Sequence, residues 1–557
     1  MRLLYSLIAL LLIAPAALAQ TMVTANIAAN TDWTASGSPY IVTKTIRVLD
    51  GVTLTVASGV EVRFALNASL IVGGVLNAGA ATFTSDAAAP TAGDWRGISV
   101  QGQTTLDGAT IRYASNSLFA QETSTVTLLA TTVELYKFNG ISVFDGATAR
   151  LKGVTVQEPG DAGNAAYSGL SLISPGGNEQ VWEGPAVRIA DLTVRGAFYA
   201  IRLGNPAPLV LEGTHTLEGN MHNAIAMLYD GHRGSFTFAP GIPYHFLDSG
   251  RRYQVASTDS TTILPGAVLK FWPGFQAELG HVTAVGAPDA PIVFTALTDD
   301  TAGGDSNGDG ATTAPSVGYW NLVSGEGVFR HLRVRYAASG LQAFGTSTVT
   351  DSEFRANRYG LSLHSRDFLS SSDAEARVRT APGFATATRN TFGEHQDAPI
   401  RSDINVRGDV TGNTFQPAAK FAGVGFSYDG TGRTFAGRFF TRADTLHDLG
   451  LPYVLLNSNQ TPDGSLHVGR GASLRIEPGV VLKSDGPGVR VTGSGRLDVV
   501  GAEDAPVVFT SLKDDVYAGD TNLDGNTTVP AVTNWRGVTY QGSGTAGSVA
   551  HAVFRYG

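Results

Sequence analysis

Two stretches of this chain carry side-chain oxygens at alternating positions, the arrangement that a short loop needs to surround a metal ion. The texts DDTAGGDSNGDGATT (299–313) and DDVYAGDTNLDGNTT (514–528), called here the first and the second acidic loop, share the pattern Asp-x-Asn-x-Asp-Gly. Ca²⁺ takes about six to eight oxygen ligands, and alternating side chains followed by a glycine turn let a loop wrap the ion. The pattern predicts one structural calcium ion in each loop, held by Asp305, Asn307 and Asp309, and by Asp520, Asn522 and Asp524.

The acidic loops resemble the first half of the calcium loop of EF-hand and dockerin proteins. The resemblance ends at loop position twelve, where those families have a bidentate Glu and this chain has Ser316 and Ala531. Acids just upstream are predicted to supply the missing carboxylates: Asp299, Asp300, Asp514 and Asp515. The alternative is a pair of solvated turns, because Asp, Asn and Gly favour turns without any ion.

The lengths of the loops favour calcium over solvated turns. From the Phe of the preceding strand to the Trp that follows, the two acidic copies span 320 − 294 = 26 and 535 − 509 = 26 residues. A third copy of the surrounding text spans only 95 − 83 = 12 residues and has no acidic loop. Equal length with the acidic positions retained is easier to explain by a shared ligand than by two unrelated turns.

The rest of the sequence carries no recognisable catalytic set. Cysteine is absent, so disulfides and thiolate chemistry are excluded. The 11 histidines have no His-x-x-x-His spacing, and there is no Gly-x-Ser-x-Gly elbow and no phosphate-binding loop. Tryptophans at a fixed repeat position could stack on sugars, but such residues more often pack where a loop rejoins the strands. We therefore predict packing for Trp95, Trp320 and Trp535.

The acidic loops belong to a text that occurs three times, at 54–95, 263–320 and 474–535. Within each copy, short apolar runs are separated by Gly, Asn or Asp, and matching runs recur after roughly twenty residues, which is typical of one coil of a β-solenoid. An array of β-sandwiches is the alternative, but it would use more hairpin turns. We predict parallel stacked strands with Val62, Phe64, Val268, Leu269, Val481 and Leu482 pointing inward.

Later segments keep the same pattern: 350–363, 388–400 and 411–421 each place Asn or Ser before an inward Phe. This repeat resembles the right-handed parallel β-helix of bacterial surface and secreted proteins in the pectate-lyase-like superfamily. The resemblance implies an all-β fold, a right-handed parallel β-helix (β-solenoid) built from three related modules. The predicted modules are residues 20–238, 239–447 and 448–557, and the third, about half as long as the others, is interpreted as incomplete.

The N-terminus predicts export. Arg2, an apolar run and the small-residue site Ala17-Leu18-Ala19 indicate a signal peptide over residues 1–19, so the protein is expected to be secreted or on the cell surface. No later stretch is long and apolar enough to span a bilayer. The net charge of −9 argues against nucleic acid as a partner.

Two functions remain open from the sequence. The first is a non-catalytic β-helix that binds polysaccharide, cell-surface glycan, matrix or another cell. The second is a polysaccharide lyase or glycoside hydrolase, whose site is expected in the unrepeated segment 157–235. That segment holds Glu158, Asp161, Glu179, Trp182, Glu183, Tyr229 and Asp230. A hydrolase needs two carboxylates in one groove, roughly 5 to 10 Å apart.

Overall fold

The fold is given by a computed structural model. It describes residues 20–121, 123–160, 163–164, 167–173, 182, 184–204, 206–247, 250–364, 383–402, 406–426, 443–455, 465–469 and 471–557. The predicted signal peptide and the acids Asp161, Glu179 and Glu183 lie outside the described residues.

The chain is an all-β parallel β-helix, as predicted. Strands account for 51% of the residues and helix for 1%, and each strand pair that the structure describes is parallel. By contact density the chain divides into two compact units, one of Met1–Ser171 with Gly184–Phe198 and one of Leu172–Glu183 with Tyr199–Gly557. These units do not follow the three sequence modules, whose boundaries stay predictions.

The first unit contains three ladders of parallel strands and one short 3₁₀ helix, Ala35–Gly37. One ladder consists of Thr21–Val23, Tyr40–Val42, Glu61–Phe64, Thr82–Ser85, Thr110–Arg112, Thr132–Glu134, Thr155–Gln157 and Thr193–Arg195. The second consists of Thr31–Trp33, Thr53–Val56, Val75–Ala78, Gln103–Asp107, Thr125–Leu129, Thr148–Lys152 and Val187–Ala190. The third consists of Ile46–Val48, Ser69–Val72, Gly97–Val100, Leu118–Ala120 and Ile141–Phe144. The first range of the first unit ends at Ser171 and the first range of the second unit begins at Leu172, so this boundary along the chain falls within the strand Ser168–Ile173.

The second unit holds both acidic loops. Its first ladder consists of Tyr199–Leu203, His222–Met227, Tyr244–Phe246, Val268–Phe271, Ile292–Ala296, Leu332–Arg335, Glu353–Arg355, Thr391–Phe392 and Thr414–Phe415. The longest ladder consists of Ser235–Phe238, Ser260–Ile263, Gln276–Val285, Trp320–Arg330, Ala337–Phe344, Asn357–His364, His395–Ser402, Val424–Phe426, Tyr453–Leu455, Val481–Ser484, Val507–Ser511 and Ala552–Phe554. Side branches of that ladder are Arg252–Gln254, Thr348–Thr350, Gly383–Thr388 and Val406–Asp409.

Two smaller ladders and two further strands complete the second unit. One ladder consists of Ala443–Leu446, Ser473–Ile476, Arg496–Val500 and Ala546–Ala550, and the other of Leu466–Val468, Val489–Thr492 and Val538–Gln541. The further strands are Leu209–Glu212 and Thr216–Glu218. Among the described residues, no helix is long and apolar enough to cross a membrane.

The strands stack because apolar side chains recur once per coil. Tyr40 pairs with Val62 and Val62 with Phe83, steps of 62 − 40 = 22 and 83 − 62 = 21 residues, close to the predicted coil length. Val62 and Phe64 are fully buried, as predicted, while Glu61 and Arg63, which alternate with them along the strand, are half-buried. Alternation along a strand produces this pattern, since successive side chains point to opposite sides.

The same alternation corrects two predicted core positions. Leu269 and Leu482 point inward, but the adjacent Val268 and Val481 are only half-buried. Neighbouring residues of one regular strand point to opposite sides, so predicting both members of each pair as inward was wrong.

The corners between strands use single residues in the left-handed conformation. Tyr113, Tyr336 and Tyr556 are the penultimate residues of the repeated texts ATIRYA, LRVRYA and AVFRYG, and their φ angles are 62°, 67° and 59°. A residue other than glycine in this region costs about 1 to 3 kcal/mol, so the surrounding packing must impose it.

Asparagine side chains stabilise other corners of the second unit. The Ser352 backbone N–H donates to Asn390 Oδ1 at 3.0 Å, and the Asn390 N–H donates to Asn413 Oδ1 at 2.8 Å. Next to this ladder of side chains, the Phe392 ring stacks on Phe354 at 5.2 Å and on Phe415 at 5.3 Å. The Asn-or-Ser-before-Phe pattern of the sequence is therefore a stacked corner followed by a stacked aromatic, which is fully buried at Phe354 and Phe392 and half-buried at Phe415.

Candidate metal centre

Each acidic loop leaves the end of a buried strand and returns to the stack at a tryptophan. The first follows Ile292–Ala296 and leads to Trp320, and the second follows Val507–Ser511 and leads to Trp535. Both indoles are buried, and their Nε1–H groups donate to backbone oxygens, Trp320 to Arg335 at 2.9 Å and Trp535 to Arg555 at 2.7 Å. Trp95 makes the same bond, to Arg112 at 2.9 Å, where the loop is short. The prediction that these tryptophans pack is confirmed.

Three carboxylates converge in each acidic loop. One oxygen each of Asp300, Asp305 and Asp309 lies within 4.8 Å of the others, and the corresponding oxygens of the second loop do the same. The members of that second cluster are Asp515, Asp520 and Asp524. The described structure therefore brings together three predicted metal-binding acids in each loop.

The loop backbone folds around the first acid of each pattern. Asp305 accepts the backbone N–H groups of Asp309 at 3.1 Å and Gly310 at 2.9 Å. In the second loop, Asp520 accepts those of Asp524 at 3.1 Å and Gly525 at 2.8 Å. Gly310 has a φ of 73° and Gly525 a φ of 63°. Glycine adopts this left-handed conformation most easily, which explains the glycine at the last position of the pattern.

Several oxygens of these clusters are buried and have no hydrogen-bond partner in the described protein: Asp300 Oδ1, Asn307 Oδ1, Asp309 Oδ1, Asp515 Oδ1 and Asn522 Oδ1. A buried acceptor that lacks a partner costs about 1 to 3 kcal/mol, and more if it is charged. Such groups are rare in folded proteins, and a bound cation is a partner that carboxylate and amide oxygens can share. An all-oxygen donor set fits Ca²⁺ or Mg²⁺ rather than the softer transition metals.

Crowding disfavours the ionised form of one carboxyl group in each cluster. Burial raises the pKa of Asp300, the charges of Asp305 and Asp309 raise it further, and Lys270 opposes them. Burial likewise raises the pKa of Asp515, with Asp520 and Asp524 adding to the effect and Lys483 opposing it. A cation between the carboxylates would relieve this repulsion.

The predicted ligands Asp299 and Asp514 lie elsewhere. Both are buried, and their carboxylates are occupied at the base of the loop. Asp299 accepts Thr295 Oγ1–H at 2.5 Å and Thr301 Oγ1–H at 2.6 Å, and forms an ion pair with Arg335 at 3.1 Å. In the second loop, Asp514 accepts the Thr510 hydroxyl at 2.5 Å and pairs with Arg555 at 3.4 Å. These two acids hold the base of each loop to an arginine, Arg335 at the end of the strand Leu332–Arg335 and Arg555 just after the strand Ala552–Phe554. They are not members of the clusters of three carboxylates.

A buried lysine under each loop was not foreseen from the sequence. Lys270 Nζ donates to Ser306 Oγ at 2.6 Å and to the Gly304 carbonyl oxygen at 2.9 Å. Lys483 Nζ donates to Thr521 Oγ1 at 2.6 Å and to the carbonyl oxygens of Asp514 and Gly519 at 2.8 and 2.9 Å. Burial lowers the pKa of each lysine to about 8, against the opposing charges of the nearby acids.

The sequence did contain a signal for these lysines. They stand in the strand texts VLKF and VLKS, in each case after two apolar residues and only where an acidic loop follows. The copy without the loop has Arg63 at this position, where the side chain is 36% exposed and pairs with Glu61 at 2.8 Å. A lysine within a core strand thus accompanies the loop that surrounds it.

Among the described residues proposed for catalysis, Tyr229 and Asp230 have different environments. Tyr229 is buried against Tyr253, with ring centres 5.7 Å apart, while Asp230 lines a groove of about 750 Å³. The other described residues of this groove are His232, Arg233, Gly250, Arg252, Gln254, Ala256, Thr258 and Asp259. Glu158 and Trp182 do not line it. The groove does contain two acids, Asp230 and Asp259, of which only the first was singled out from the sequence.

Comparisons with known proteins add no assignment. No protein-family model, no curated protein and no solved structure matches the chain. The function therefore has to be inferred from the chemistry of the acidic loops and the groove.

Proposed function

We propose that each acidic loop binds one Ca²⁺ ion that stabilises the loop against the β-helix. The observation that supports this most directly is the set of buried, unpartnered oxygens among three converging carboxylates. The ion would be held by Asp300, Asp305, Asn307 and Asp309 in the first loop, and by their counterparts Asp515, Asp520, Asn522 and Asp524 in the second. Calcium tolerates irregular oxygen cages better than magnesium, and an exported protein meets enough of it to fill even a weak site.

The protein as a whole is proposed to be an exported, non-catalytic β-helix of the cell surface or the extracellular space. Its role would be to bind carbohydrate, matrix or another cell. The predicted signal peptide, the repeated coils and the low content of charged residues, 16%, support this role. Repeated scaffolds offer extended surfaces for binding, and a catalytic assignment would need a site of its own.

A polysaccharide lyase or hydrolase is the second candidate, and the groove beside Asp230 supports it. Two acids and two arginines line that groove, with Asp230 and Arg233 exposed. The buried His232 lies at the same place, with its ring nitrogens 2.7 Å from the Tyr253 hydroxyl and 3.0 Å from the Ser260 carbonyl oxygen. Paired carboxylates are what glycoside hydrolysis requires.

Thermal unfolding tests the calcium proposal. Calcium should stabilise the protein relative to EDTA by about 1 to 3 kcal/mol at ten- to hundredfold excess over the dissociation constant. The double variant Asp309→Ala, Asp524→Ala should lose this response. The matched control is Asp289→Ala, Asp504→Ala, which removes two exposed acids at equivalent repeat positions and should keep it. Equal responses in both variants, or none in the parent, would support solvated turns instead.

A polysaccharide and glycan screen that scores both binding and cleavage separates the two functions. The binding scaffold predicts retention without any product. The enzyme predicts product that disappears in the variant Asp230→Asn, Asp259→Asn and persists in Asp289→Asn, whose side chain lies outside the groove. Cleavage that survives loss of both groove acids would contradict the enzyme assignment at this site.

A further inference from the structure

Two histidines connect the first acidic loop to the core. His245 is fully buried, His222 is nearly so, and their Nδ1 atoms are 3.2 Å apart. On its other side, His245 Nε2 lies 2.8 Å from the hydroxyl oxygen of Ser306, a buried loop residue. Lys270 donates to that same hydroxyl. The loop is thus anchored through a continuous chain of hydrogen bonds from Lys270 to His222.

One arrangement of protons satisfies every hydrogen bond of this chain. The ammonium group of Lys270 can only donate, so Ser306 Oγ accepts from it and can donate its own hydrogen to His245 Nε2. His245 then carries its proton on Nδ1 and donates it to His222, and both rings are neutral. One added proton would put a second positive charge beside the buried ammonium. A second added proton would set two N–H groups against each other across 3.2 Å.

The second acidic loop is anchored in the same way on one side. Thr521 replaces Ser306 and accepts from Lys483. The two loops also make the same backbone hydrogen bond. The Asn223 N–H donates to the Ser306 carbonyl at 2.7 Å, and the Ala422 N–H donates to the Thr521 carbonyl at 2.8 Å. This backbone match makes Ala422 the counterpart of Asn223, and so Phe421 the counterpart of His222.

On the other side of the second loop, apolar side chains occupy the positions of the two histidines. Strand register places His245 beside Lys270 and Val454 beside Lys483, so Val454 is the counterpart of His245. Phe421 and Val454 belong to one apolar cluster. The chain therefore holds two closely matched acidic loops, one resting on a histidine pair and one on apolar side chains.

We propose that mildly acidic pH weakens the first calcium site and spares the second, because proton uptake by the His222–His245 pair releases Ser306 and the loop with it. This inference rests on the proposed calcium binding and adds its regulation. The structural basis is the hydrogen-bond chain and its replacement by Phe421 and Val454.

The protonation equilibria of the two rings act in the direction that this inference requires. Burial lowers the pKa of His222 to about 4, and burial together with the charges of His222 and Lys270 lowers the pKa of His245 well below its usual value. Histidines exposed by an opened loop would take up protons below about pH 6.5. The closed loop is therefore fully favoured above that pH and loses stability as the pH falls from there toward about 4.

Other ionisable groups lie near the pair. Tyr199 stacks on His222 with ring centres 5.2 Å apart, and the acids that act on Lys270 are Asp299, Asp300 and Asp305. The second loop has equivalent acids around Lys483, namely Asp514, Asp515 and Asp520. It therefore serves as an internal control for the effect of acid on the carboxylates alone.

The test uses full-length variants that each retain one loop. Asp524→Ala leaves the first loop, and Asp309→Ala leaves the second. Calcium titration by calorimetry at about pH 7.5 and about pH 5 brackets the ordinary pKa of histidine. Between these two values, the dissociation constant of the first loop should rise at least about tenfold more than that of the second. Adding His222→Phe and His245→Val to Asp524→Ala should bring the acid response down to that of the second loop.

The outcomes separate this inference from the calcium proposal. Failure of both loops to bind calcium at about pH 7.5 overturns the calcium proposal and this inference with it. Binding by both loops with equal acid responses overturns only this inference. If the histidine replacements prevent folding, as judged by circular dichroism, the comparison of the two single-loop variants decides alone, since both keep the histidines.

Discussion

The ammonium group of Lys270 donates a 2.6 Å hydrogen bond to the hydroxyl of Ser306, so a buried lysine holds an acidic loop from inside the β-helix. Lys483 and Thr521 repeat this relationship in the second loop. The position of the lysine explains how carboxylates can crowd together on a loop without separating, since its charge opposes their repulsion. Because each loop has its own lysine, the contacts can be removed from one loop while the other is left unchanged.

Replacing Lys270 by Met should loosen the first acidic loop and leave the second in place. Hydrogen bonds from a charged donor contribute about 1.5 to 3 kcal/mol, and relief from burying the charge offsets part of this. We expect a net loss of about 1 to 2 kcal/mol in EDTA, with faster hydrogen exchange confined to 299–313. Lys483→Met should produce the same effect at 514–528, and the exposed Lys420→Met should have little effect on either loop. Unchanged exchange in both loops would contradict the anchoring role.

The neighbouring acids Asp299 and Asp300 should respond differently to neutralisation. Asp299→Asn removes the charge that pairs with Arg335 in a buried site, so it should destabilise the protein by on the order of 3 kcal/mol with or without calcium. Asp300→Asn should abolish the calcium response of the first loop. In EDTA it should be neutral or stabilising, because burial and like charges already disfavour its ionised form. Unfolding of each variant with calcium and with EDTA makes the comparison.

If Asp299→Asn abolished the calcium response and Asp300→Asn destabilised the protein with or without calcium, then Asp299, rather than Asp300, would face the ion. The equivalent pair Asp514 and Asp515 offers an independent repeat of the experiment in the second loop.

Trp320→Phe should destabilise the protein by about 1 to 3 kcal/mol, since it leaves the Arg335 carbonyl oxygen without its indole donor. Trp95→Phe should do the same for the Arg112 carbonyl. The control is Trp272→Phe, at a tryptophan that is 40% exposed, where we expect less than about 0.5 kcal/mol. Denaturant unfolding measures all three. A sugar-binding defect in Trp320→Phe without any loss of stability would argue against the packing role.

Phe294→Ala should cost about 3 to 5 kcal/mol, because the ring is fully buried between Leu269 and Val334 on the neighbouring strands. Phe509→Ala is expected to behave similarly, with its ring 6.2 Å from that of Trp535. Val516→Ala, at a side chain that is 73% exposed, serves as the control and should be close to neutral. A small effect at Phe294 would mean that the coil can collapse around the cavity.

The sequence by itself determined the fold class and the location of both acidic loops. A coil of about 21 or 22 residues repeats its apolar positions locally, and Asp-x-Asn-x-Asp-Gly specifies its own turn through backbone N–H groups that bond to Asp305 and Asp520. Both signals depend on neighbours in the chain, so they can be seen without coordinates. The same holds for the tryptophans, which recur at a fixed place where each loop ends.

Only the tertiary structure decided which of two adjacent residues faces which environment. Asp299 turns toward Arg335 and Asp300 toward the other acids, and Leu269 is in the core while Val268 is not. A sequence pattern locates an inward position only to within one residue. A shift of one residue along a strand reverses the side to which a side chain points, so the pattern cannot say which member of the pair is inward. The contacts from Lys270 and His245 to Ser306 join residues 306 − 270 = 36 and 306 − 245 = 61 positions apart. Stacking of successive coils brings these residues together, and no local pattern encodes that distance.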